Sequence, residues 1–194
     1  MRRHVKQPGV SAQASSSGTI SASDEGEDCL AAYQCELTYI LRTLQRLGID
    51  ANDVEDLAQE VFLVLRRTWR VYDPTRALKP YLFGIAFRVA SAHKRRRWRE
   101  ISFAFVESTD PAPLPDREFE ASQARAMVLH ALQEIPLPRR AVLVMHDLDQ
   151  VPVQEVAATL SIPLFTTYSR LAKARTELAR ALTRMLAVGR RTHR

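Results

Sequence analysis

Apolar residues in this chain recur at every third or fourth position, in blocks separated by proline and glycine, and nowhere alternate long enough to make a strand, so the fold is confined to packed helices. Leu30, Tyr33, Leu37, Ile40, Leu41 and Leu44 share one helical face, which predicts a helix from Cys29 to about Leu47 with Gly48 as its stop. Val54, Leu57, Ala58, Val61, Phe62 and Leu65 predict a second, capped by Asp50 or Asn52 and running to about Trp69. Asp53, Glu55 and Asp56 fall in its first turn, where the helix dipole favours negative charge. Asp73-Pro74 interrupts the pattern, and a third helix is expected from near Pro80 through Ile85 and Val89 into the basic run Lys94-Arg95-Arg96-Arg97.

Between 101 and 116 the period disappears and Pro111, Pro113 and Pro115 accumulate, as in a linker between two domains. Helical spacing resumes from about Arg117 to Glu134, stops at Pro136-Leu137-Pro138, and returns from Arg139 to His146, with two further helices behind it. The expected organisation is all-α: a disordered tail at 1–28, a helical domain at 29–100, the linker, a second helical domain at 117–186 and a basic tail at 187–194. The first tail is assigned on its Ser, Gly and acidic residues, which cannot bury enough apolar surface to offset chain ordering.

Lysines and arginines outnumber acidic residues by 28 to 22, which suggests a polyanionic partner, nucleic acid or an anionic membrane. The longest apolar runs, Val61 to Leu65 and Ala141 to Met145, are too short to span a bilayer, and no secretory h-region follows Arg2 and Arg3. A cytoplasmic protein without membrane insertion is expected. Cys29 and Cys35, the only cysteines, match neither a metal knuckle nor a disulfide framework, as in a reducing compartment.

Within Val153 to Pro163, a short amphipathic helix is followed by a small residue, an apolar residue and a proline, and a second helix opens at about Leu164. Ala157 is small where two crossing helices touch, while Val156, Leu160, Ile162 and Leu171 supply a shared core, which is the steric requirement of a helix-turn-helix. The second helix, to about Leu182, presents Thr166, Tyr168, Ser169, Arg170, Lys173 and Arg175, hydroxyls and cations suited to phosphates and base edges. A helical hairpin with a solvated basic face fits the same pattern less fully.

The acidic strip Asp53 to Phe62 reads by itself as a capped surface helix. None of the five histidines stands at ligand spacing with these acids, so no metal or cofactor is expected; a carboxylate-metal enzyme, a third class of function, would carry tightly bound metal. From Trp69 to Arg99, aromatics (Trp69, Tyr72, Tyr81, Phe83, Phe87, Trp98) interleave with cations (Arg70, Arg76, Lys79, Arg88, Lys94 to Arg97). Stacking groups beside phosphate-neutralising groups suit single-stranded nucleic acid, though several of these rings also suit a helix core.

Asp53-Val54-Glu55-Asp56-Leu57-Ala58-Gln59-Glu60-Val61-Phe62 resembles the D-x-E-D-L-x-Q-E-V-F segment of bacterial sigma factors, and Tyr81 to Ala86 resembles the W-L-Y-x-I-A segment that follows it. Ala131 to Arg175 resembles their second conserved domain, and the two-domain layout is similar to that of the extracytoplasmic-function group. The resemblance covers about residues 30 to 183. It implies a region 2-like and a region 4-like helical domain, no catalytic activity, and core RNA polymerase and promoter DNA, duplex and melted, as partners, often with an anti-sigma factor. By position, Asp53, Asp56, Gln59 and Glu60 would dock on the polymerase. Tyr72, Arg88, Ser91 and Ala92 would melt and read the minus-10 element, with Lys94, Arg95, Arg96 and Arg97 holding phosphates. Tyr168, Ser169, Ala172 and Lys173 would face minus-35 bases, and Thr166 and Arg170 phosphates. The alternative is a stand-alone helix-turn-helix regulator, which needs neither Asp56 nor the aromatic and basic segment.

The chain departs from the family pattern at Arg88 and Ala92, at Phe165 in place of a glycine, at Thr167 in place of a valine, and at Ser161, where glycine is common. A hydroxyl at Thr167 is expected to weaken helix packing by about 1 kcal/mol.

Overall fold

A computed structural model describes residues 22–101 and 119–192. Its helices are α1 (Ala22–Arg46), α2 (Ala51–Thr68), α3 (Leu78–Ile101), α4 (Phe119–Gln133), α5 (Leu137–Leu143), α6 (Val153–Leu160) and α7 (Leu164–Thr192), and no strand occurs among the described residues. A 3-10 turn, Trp69–Val71, follows α2, and a π-helical turn, Val144–Leu148, extends α5.

α1 ends where expected. Gly48 takes a φ of +78°, its N–H donates to Gln45 and that of Ile49 donates to Leu44, which closes the orphan carbonyls of the last turn. The helix begins earlier than composition predicts, so residues 22–28 belong to α1 rather than to a disordered tail. Once a helix is nucleated, each added residue gains a hydrogen bond, and negative charge such as that of Glu27 and Asp28 is favoured near a helix N-terminus. The remainder of that tail and residues 102–116 of the expected linker lie outside the described residues, as does the end of the basic tail; α7 extends to Thr192, ten residues past the expected end near Leu182.

Asp50 stands at the N-cap of α2 with extended backbone, but its side chain makes no capping bond and pairs with Arg97 instead. The expected cap is thus corrected: the nearby guanidinium competes successfully for the carboxylate. Helices α1 to α3 bury Ile40, Leu44, Val61, Leu65, Leu82 and Phe83 among themselves, and α4 to α7 bury Leu132, Ile135, Leu143, Met145, Val156 and Leu171. These two sets form one continuous apolar core.

Polar contacts tie the halves together. Asp149, past the π-turn, accepts from Tyr39 Oη and Arg46 Nη1, both at 2.8 Å. Burial pushes its carboxyl up from the usual range, against the pull of those two donors. Arg140, 3% exposed, sends its guanidinium to the carbonyls of Leu47 (2.7 Å), Gln133 (2.6 Å) and Ile135 (2.9 and 3.1 Å).

Candidate nucleic-acid interface

On the first half, Trp69 and Tyr72 stack at 5.4 Å, and Tyr72 tilts against Tyr81 at 4.9 Å. The 3-10 turn places Trp69 and Tyr72 three apart on one side, and hydrogen bonds fix the shelf: Tyr72 Oη donates to the Arg76 carbonyl at 2.6 Å, and Tyr81 Oη to Thr68 Oγ1 at 2.7 Å. Arg88 projects from α3 beside this shelf. Tyr72, Arg76, Arg88 and Gly84 line a cleft of about 250 Å³ that is also lined by Glu155 and Thr159 of α6 and by Ser161 just past its end. Gly84 lets α3 approach α6 closely there: a Cβ would lie 3.2 Å from the Thr159 methyl, which would have to give way by a few tenths of an ångström.

One turn further along α3, Ser91 is half-buried and returns its hydroxyl to the Phe87 carbonyl at 2.6 Å, which leaves the oxygen as the group it can offer. Ala92 is half-buried. The basic run then divides. Lys94 is partly buried, and burial, together with the Arg140 and Arg97 charges, lowers its ammonium to a pKa of about 8 against the opposing pull of Asp50. Arg95 is exposed, Arg96 meets Glu60 at 3.4 Å, and Arg97 meets Asp53 at 3.0 Å as well as Asp50. Asp56 and Gln59 are exposed on α2, on the side turned from Val54, Ala58, Val61 and Leu65. The structure therefore brings the acidic strip and the basic run side by side, with Asp53 and Glu60 already paired to two of the cations. Sequence reading kept these motifs apart.

On the second half, α6 ends at Ser161, which has a left-handed φ of 53°, and Ile162 N–H closes onto the Ala157 carbonyl at 3.0 Å. The turn joins α6 to α7, with Val156, Ala157 and Leu171 buried, and Leu160 and Ile162 packed at the edge. Thr167 is buried completely, yet its Oγ1 donates to the Pro163 carbonyl at 3.1 Å, so the expected packing penalty does not arise: the hydroxyl is satisfied. Outside that buried stripe, Tyr168, Ala172 and Lys173 are exposed and Thr166, Ser169 and Arg170 half-exposed. Arg175 is engaged by Asp147 at 2.6 and 2.8 Å. Among the described residues no three His, Cys, Asp or Glu side chains gather as a metal site, and no helix is long and apolar enough to cross a membrane.

Arg140 is the residue that sequence reading missed, since it buries a charge against carbonyls alone. Its local signal, a second arginine after Pro136-Leu137-Pro138, is indistinguishable from a solvated one.

Residues 32–100 match the family described as Sigma-70 region 2, and residues 125–178 match Sigma-70, region 4. A curated relative, the ECF RNA polymerase sigma factor SigE of Mycolicibacterium smegmatis, is 30% identical over 72% of this chain and 55% of its own length. The chain thus spans about half of that relative. The RNA polymerase sigma-H factor of Pseudomonas aeruginosa is 25% identical over 76% of this chain and 82% of its own. Among solved structures, the sigma factor RpoE in complex with the anti-sigma factor NepR from Bartonella quintana shares the fold with a TM-score of 0.66 and 20% identity, covering 81% of this chain and 98% of that one.

Proposed function

The chain belongs to the sigma-70 family of RNA polymerase sigma factors, in its extracytoplasmic-function group, and from that premise we propose that it holds core RNA polymerase on promoter DNA and opens the duplex there. The observation that carries the reading is the presence, on one chain, of an aromatic and cationic shelf and a groove-fitting helix, each within its matching family region. The proposed domains are 29–100 and 117–186.

The acidic face of α2, with Asp53, Asp56, Gln59 and Glu60, docks on the polymerase. Tyr72, Arg88, Ser91 and Ala92 take the melted minus-10 strand. Unstacking costs a few kcal/mol per base, which stacking on an aromatic ring at about 1 to 3 kcal/mol per base offsets. Lys94 to Arg97 neutralise phosphates. Arg96 and Arg97 must exchange carboxylates for phosphates, and surface ion pairs of this kind are worth only about 0 to 1 kcal/mol, so the exchange is cheap. Thr166, Tyr168, Ser169, Arg170, Ala172 and Lys173 meet the minus-35 duplex. No residue acts in covalent catalysis, the compartment is the cytoplasm, and an anti-sigma factor of the kind bound to RpoE is a candidate regulator.

Run-off transcription with purified core polymerase on a genomic promoter library tests this reading. The chain is expected to direct discrete starts that core enzyme alone does not make, and Asp56→Arg to reduce polymerase retained in pull-down at least several-fold. A chain that binds duplex but never retains polymerase would be a stand-alone regulator instead.

A further inference from the structure

Phe165 stands in the first turn of α7 with 84% of its surface exposed, flanked by Leu164 at 42% and Tyr168 at 51%. Contiguous apolar surface of this kind marks a contact made elsewhere. Its direction is set by the helix. At about 100° per residue, Phe165 shares a face with Ser169, Ala172 and Thr176 and lies nearly opposite Thr167, Leu171, Ala174 and Ala181, all four buried. The ring therefore cannot turn into the core. It leads the face that carries the candidate base contacts.

The surroundings select the occupant. Arg170 and Lys173 follow on the same helix, which favours a polyanion over an apolar protein surface. In a helix-turn-helix the N-terminal residues of the second helix reach base edges in the major groove. A phenyl ring offers neither donor nor acceptor, and the one apolar group among the base edges of that groove is the thymine 5-methyl. We propose that Phe165 is a specificity-determining residue that reads a thymine methyl group in the upstream promoter element. This rests on the assignment of α7 to that element.

The test is selection of duplexes randomised across the upstream element by holoenzyme reconstituted from core polymerase and the full chain, wild type or Phe165→Ala. The wild type enriches thymine at one position. Deoxyuridine at that position, which removes only the methyl, weakens binding about fourfold, the effect of one buried methyl group. Phe165→Ala, with an unchanged melting temperature because the ring is exposed, loses the enrichment and binds thymine and uracil duplexes equally, and Phe165→Leu restores part of the difference. Retention of the same enrichment and the same uracil penalty in Phe165→Ala overturns the inference alone. A wild-type holoenzyme that enriches no sequence overturns the proposed function, and this inference with it.

Discussion

Lys94 lies beside the seam between the two halves, and its position gives the stability of the protein a definite pH slope. Burial, reinforced by the Arg140 charge, lowers its ammonium to about 8 in the folded chain, whereas a free lysine titrates near about 10.4. Between those values the unfolded chain holds a proton that the folded one has lost, so stability contributed by this group rises with pH from about 8 to about 10. Cys29, raised by burial, slopes the other way, and it is common to wild type and variant. The expected outcome is that urea midpoints measured near pH 7.5 and near pH 9.5 shift more favourably with pH in wild type than in Lys94→Met. Equal shifts in both proteins would show that Lys94 keeps its proton throughout. A phosphate at this residue would reverse the depression, so duplex binding is expected to take up a proton at pH 9.

The turn between α6 and α7 is a joint whose chemistry is suboptimal for its geometry. Ser161 adopts a left-handed φ of 53°, a region where a Cβ costs about 1 kcal/mol or more and glycine meets no steric penalty. Ser161→Gly is expected to stabilise the fold by about 1 kcal/mol, seen in calorimetry as a rise of roughly 2 to 4 °C in Tm. An unchanged or lowered Tm would mean that the serine hydroxyl contributes more than its backbone costs. The faces of α2, α6 and α7 were legible in the sequence because burial repeats with the helical period. Several things were not. The start of α1 at Ala22 depends on propagation from a nucleus downstream, and composition does not report that. The Asp50 cap failed because Arg97, 47 positions away, takes its carboxylate. Likewise the acidic strip and the basic run were each visible as motifs, while the Arg96–Glu60 pair joins residues 36 apart and no local pattern encodes such a register. The π-turn at Val144–Leu148, which aims Asp147 at Arg175 and precedes Asp149, also leaves no periodic trace.

At the scale of the molecule the question is what makes two family regions a single folded unit, and Arg140 carries much of the answer. Its guanidinium is buried without a carboxylate, held by the carbonyls of Gln133 and Ile135 on its own side and of Leu47 on the other, and burial lowers its pKa to about 10. Burying that charge is costly, yet the carbonyls it satisfies would otherwise be orphaned, and each buried unsatisfied group costs about 1 to 3 kcal/mol. Gly48 belongs to the same arrangement: a Cβ there would collide with Arg140 Nη1, so the helix stop and the clamp constrain each other. Arg140→Met keeps an aliphatic stem of similar reach and removes every donor. The expected loss is about 3 kcal/mol, or roughly 6 to 12 °C in Tm for a chain of this size. Because the apolar core runs across both halves, the wild type should melt in one calorimetric transition, with the variant melting earlier and less cooperatively. Two resolved transitions in the wild type would show that the halves fold independently and that the Leu47 bond couples nothing. A single transition that Arg140→Met leaves in place would show that the cost of burying the charge equals what its hydrogen bonds return.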